Sequence, residues 1–209
     1  TYDLAGNITA AGHVTQDGTL NVDGTRRIDV TGATTGLTGA GEITVNAASD
    51  ALTIDQIGST TFAGIVTGAG SVTKEGTGAL TITGASTFTG GTTVSEGTLD
   101  TTGGGTLADT GAISIASGAT FRAGTVDTVG VVTNAGTLDI DANQTVTSLT
   151  NQAGGLVDQD ANLTAAAGVT NATGATYDLA GNITAAGNVT QDGTLNVDGT
   201  RRIDVTGAT

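Results

Sequence analysis

The side chains able to do chemistry are few, and their spacing argues against a catalytic centre. His13 is the only histidine, and a near-identical stretch further along the chain has Asn188 in its place. A unit that exchanges its one imidazole for an amide does not rely on it for proton transfer. No Ser-His-Asp set, Gly-x-Ser-x-Gly elbow or phosphate loop is present. Gly36, Gly39 and Gly41 lack the dinucleotide-binding pattern and read as a turn. Paired carboxylates remain: Asp139 with Asp141, and Asp158 with Asp160, each pair on one face of a strand. Such pairs cleave polysaccharides when a basic residue stands with them. The only bases are Lys74, Arg26, Arg27, Arg122, Arg201 and Arg202, and none lies near those pairs in sequence. Glycan cleavage is set aside on that ground.

Calcium is the other use for stacked acids, since it takes oxygen ligands. Asp139 and Asp178 follow their apolar anchors in the same way, so stacking would bring carboxylates together. No EF-hand loop and no glycine-rich calcium nonapeptide accompanies them. A solvated acidic face is the simpler reading. Arg26-Arg27 recurs as Arg201-Arg202, with Asp23 and Asp29 flanking the first pair. Exposed ion pairing is expected there, and lateral contact between neighbouring molecules is the alternative. Asn-x-Thr triplets at Asn7, Asn143, Asn162, Asn171, Asn182 and Asn188 follow from a threonine-rich composition. Thr81-Ile82-Thr83 and Thr145-Val146-Thr147 are too isolated to form the threonine ranks of an ice-binding surface. No catalytic, cofactor-binding or metal-binding residue is assigned, and no enzyme activity is expected.

Composition narrows the field further. Net charge is −14, which disfavours nucleic acid and anionic membrane surfaces as partners and keeps an elongated molecule soluble. Without cysteine there is no disulfide framework. No apolar run approaches the ~18 residues of a membrane span. Tyr2, Tyr177, Phe62, Phe88 and Phe121 are the only aromatics, so the core must be built from Val, Ile, Leu and Ala in thin layers.

The organisation comes from repetition. Residues 1–34 recur as 176–209, and the two stretches differ only at His13 against Asn188. The expected division is one full tandem unit over 1–175 and the start of the next copy over 176–209, within a longer array. A finer period lies inside. Val132-Thr133-Asn134, Leu149-Thr150-Asn151, Val169-Thr170-Asn171 and Val189-Thr190-Gln191 recur, each followed by a second anchor at Leu138, Leu156, Tyr177 and Leu195. A period of about 20 residues indicates a solenoid. Leu138-Asp139-Ile140 and Ile28-Asp29-Val30 alternate with period two, and no segment sustains a helical period. The expected fold is all-β: a right-handed parallel β-helix with coils of about 17–21 residues and about nine coils per unit. Asn134, Asn151 and Asn171 are placed to stack as an amide ladder at one corner.

Residues 68–99 resemble the autotransporter-associated β-strand repeat, also called the passenger-associated transport repeat. The matching frame is Gly70, Lys74, Gly76, Gly78, Leu80, Ile82, Gly84, Thr87, Phe88, Gly90, Gly91, Thr92, Val94, Gly97, Thr98 and Leu99, with Ser86 where the family usually has Asn and Phe88 where it usually has Tyr. The resemblance implies a right-handed β-helix in a secreted or surface-displayed bacterial protein, with a part in passenger secretion and folding rather than catalysis. The resulting expectation is a stiff extracellular stalk or fibre for adhesion or cell contact. A self-assembling filament or sheath is the alternative, and a β-helical glycan enzyme comes third. The expected partners are neighbouring repeats of the same chain and, laterally, other rods, with no nucleic acid and no membrane insertion.

Overall fold

A computed structural model describes residues 1–107 and 110–207; Ala208 and Thr209, which belong to the expected start of the next copy, lie outside the described residues. The described residues form strands and turns with no helix. Every strand pairing among them is parallel. Short Thr-, Val- and Ile-rich segments alternate inward and outward residues and turn at glycine, so each strand stacks on its equivalent one coil earlier. The result is a β-solenoid of about ten turns.

Its walls are long ladders. One runs from Ile8–Ala10 to Ile203–Val205, and a second from Thr60–Phe62 to Thr194–Val197. A third, shorter sheet spans Tyr2–Leu4 to Ile65–Gly68, and Val14–Thr15 pairs with Leu37–Thr38. Inward residues stack into columns that fill the narrow interior. Leu80, Leu99, Phe121, Leu138, Val157 and Tyr177 form one column in successive register, and all are buried. Val132, Leu149, Val169 and Val189 form another, as their spacing predicts.

Two details differ from the sequence reading. Leu156 is not an anchor: it pairs with outward Thr137, and Val157 faces the core opposite Leu138. Spacing alone selects the larger aliphatic residue; the pleat selects its neighbour. Coil length also varies more than expected, because turns are inserted near the start. Ile28 pairs with Ile54 and Val14 with Leu37, both long steps. The step from Asn134 to Asn151 is far shorter.

Gly76 and Gly97 show what the corners demand. Both have positive φ, 72° and 66°, where L side chains are strained. A Cβ on Gly97 would stand 2.4 Å from the Gly76 carbonyl oxygen of the coil before.

Candidate functional site: a charged column and an amide ladder

The acid pairs do not stand alone. Outward residues stack in register as Asp100, Arg122, Asp139, Asp158, Asp178 and Asn196. A base distant in sequence is therefore one coil away in space, and the expectation that no base accompanies the acid pairs is corrected. Arg122 donates from Nε to Asp139 at 2.9 Å and from Nη2 to Asp141 at 3.0 Å, with Asp100 at 3.7 Å. Its guanidinium pKa is raised, chiefly by the hydrogen bond to Asp139. Further along, the column continues as Asp158 and Asp178 and is acidic. The Asp158 carboxyl is pushed up first by desolvation, then by Asp160, Asp139 and Asp178. Asp141 is raised by the same cause first, then by Asp139. Among the described residues no group of three or more His, Asp or Glu side chains is arranged to hold a metal ion.

Arg27 likewise finds its partners on later coils. It contacts Asp55 and, at 2.6 Å, Glu75, not the flanking Asp23 and Asp29 of the sequence reading. Arg26 donates instead to the carbonyl oxygens of Leu4 at 2.9 Å and Thr25 at 3.0 Å. In the second copy Arg202 pairs with Asp204, the counterpart of Asp29, at 3.0 Å. His13 sits at a turn, where its Nδ1 accepts from the Gly36 amide at 3.4 Å.

The inward ladder matches its expectation. Asn134 Nδ2 donates to Asn151 Oδ1 at 2.8 Å, and Asn151 Nδ2 donates to Asn171 Oδ1 at 2.8 Å. All three amides are buried, and each also donates to a backbone carbonyl on a following coil: Leu156, Thr176 and Thr194. Side-chain amides here satisfy carbonyls that the corners turn toward the core. The ladder is thus a structural seam. Asn171, one of the Asn-x-Thr triplets, is inside the rod. Asn143, Asn162 and Asn182 form an outer ladder, Oδ1 of each accepting the backbone amide of Asn162, Asn182 and Arg202 respectively.

The burial of one residue already named was not foreseen from the sequence. Lys74 occupies the inward column between Ile54 and Val94 and is only 1% exposed. Its Nζ donates to the carbonyl oxygens of Glu75 at 2.5 Å, Gly76 at 2.7 Å and Glu96 at 3.5 Å. Desolvation lowers its pKa to about 8. The signal was present in the alternation Val72-Thr73-Lys74, which directs Lys74 inward with Val72. Its hydrogen bonds clamp the corner after its own strand to the next coil's corner, a structural role.

Described from its residues, this is a parallel β-solenoid with charged outer columns and an amide-seamed core. The family description passenger-associated-transport-repeat matches residues 72–100, from the strand Ser71–Glu75 to the strand Thr98–Asp100. No curated protein and no solved structure matches the chain. The matched segment is similar to that passenger repeat and is set within a parallel β-solenoid.

Proposed function

We propose that the chain is a structural segment of a secreted or surface-displayed bacterial protein, in which tandem units, each equivalent to 1–175, build a stiff rod. The rod acts as an extracellular stalk or fibre that holds adhesive or cell-contacting parts at a distance. The observation that carries this reading is the recurrence of residues 1–34 as 176–209 on the parallel ladders of one solenoid. The passenger-repeat match supports export, because that family is a structural repeat of exported passengers. Asp139 and Asp141 are engaged in ion pairs with Arg122, and Lys74 in corner hydrogen bonds, which supports a structural over an enzymatic role.

Electron microscopy of the native protein on and off cells tests this. Thin rods whose length grows by about 42 Å per unit, from strand spacing, are expected. Compact particles would refute it.

A further inference from the structure

The recurrence of 1–34 as 176–209 does not span a whole number of coils. Following one column from Ile8, nine steps of strand pairing lead to Gln191, the counterpart of Gln16. From Thr15, nine steps lead to Asn196, the counterpart of Asn21. From Leu20, through Ile43, Val66, Ser86 and Leu107, whose amide donates to the Asp127 carboxylate one coil on, and then through Asp127, Gln144 and Leu163, eight steps reach Ile183, the counterpart of Ile8. Three walls thus exchange places from copy to copy, and the nine, nine and eight steps together close three units on 26 coils. The strand Leu163–Asn171 shows the hand-over directly. Its first half carries Ile183–Ala185 and its second half carries Asn188–Gln191. In the first copy the counterparts of these two strands lie in different sheets.

From this geometry we infer that successive copies in the array are turned by about a third of a revolution about the rod axis, so that every surface feature of the unit appears on three sides in rotation. The inference rests on the array reading above and sets how the surface of the rod is presented to any lateral neighbour. A patch that meets one neighbour recurs on that side only at every third copy. Contacts along any one rod-to-rod line are therefore spaced by about 125 Å, that is 26 strand spacings, rather than by the rise of a single unit, about 42 Å. With the coils untwisted, a one-sided ribbon, in which every unit touches the same neighbour in the same way, is excluded by this phase. Any uniform twist of the coils adds to the rotation without changing the exchange of walls.

Helical reconstruction of native rods by electron cryomicroscopy tests the inference. The expected result is an axial reflection at about 42 Å from the rise per unit, with layer lines of a longer family at about 125 Å from the rotation. After the coil-to-coil twist read from the same reconstruction is removed, the rotation per unit is expected to be a third of a turn. Rods with the expected rise per unit but no residual rotation would overturn the phase inference and leave the array standing. Absence of that axial rise would overturn the array, and the rotation with it.

Discussion

Replacing Asn151 with leucine is expected to destabilise the rod by about 1–2 kcal/mol. Asn151 is fully buried and sits at the middle of the inward ladder. Its Oδ1 accepts from Asn134, and its two Nδ2 hydrogens reach Asn171 Oδ1 and Thr176 O, both at 2.8 Å, with Gly155 O sharing one of them at 3.2 Å. One accepted bond and two donated hydrogens, at roughly 1 kcal/mol net each, give about 3 kcal/mol. Leucine returns part of this through apolar burial, by ~1–2 kcal/mol. A paired variant, Asn134→Leu with Asn151→Leu, is expected to cost less than the sum of the two single changes, since both remove the same shared bond. Urea denaturation followed by far-ultraviolet circular dichroism measures all three, with amide hydrogen exchange on the flanking strands to catch local opening. A single variant within about 0.5 kcal/mol of the parent, or strict additivity in the pair, would refute the claim that the ladder acts as a connected seam.

Lys74 gives a pH test: its pKa is lowered to about 8 in the folded protein, so between about 8 and 10.5 the unfolded chain binds more protons and stability should rise with pH. The rise should approach about 2–3 kcal/mol at most and vanish in Lys74→Met; equal slopes for parent and variant would contradict the assignment. The outer acids act in the opposite sense. Asp141 and Asp158 have raised folded pKa values, so the native state holds extra protons as pH falls through them and stability should rise on mild acidification from neutral pH. Arg122→Ala should cost about 1 kcal/mol at low salt and steepen that acid gain, read from denaturation midpoints at two pH values. Asp50, held low chiefly by the Ala47 amide, opposes this only at more acidic pH, where its carboxylate protonates. Gly76→Ala should cost roughly 2–4 kcal/mol in the same denaturation assay, because a Cβ there would lie 2.4 Å from Gln56 O at positive φ, whereas Gly104→Ala, with open space around it, should cost about 1 kcal/mol.

The architecture was legible because period-two alternation and a recurrence of about twenty residues are both written into the chain, and together they specify parallel coils. The amide ladder could be read for the same reason: three asparagines fall at one phase of three successive coils. The misreadings have physical causes. Leu156 and Val157 are adjacent and both aliphatic, so spacing cannot say which the pleat turns inward; the pairing of Leu138 with Val157 decides it. The partners of Arg122 and Arg27 were hidden because coil length changes along the chain, and proximity across coils depends on the summed register rather than on sequence distance. Lys74 was hidden by its charge, since burial of an ammonium is expected only where carbonyls wait for it, and those carbonyls come from corners whose orientation no local pattern announces.

The shortness of the coil-to-coil step has a kinetic consequence. Each residue's partners lie one coil away, so the loop closed by each new contact is never longer than one coil, however many units are joined. Relative contact order falls as the array lengthens, and folding can advance from a single formed coil by adding the next, with no search across the whole chain. A very long protein of this kind faces the folding problem of a short one, repeated.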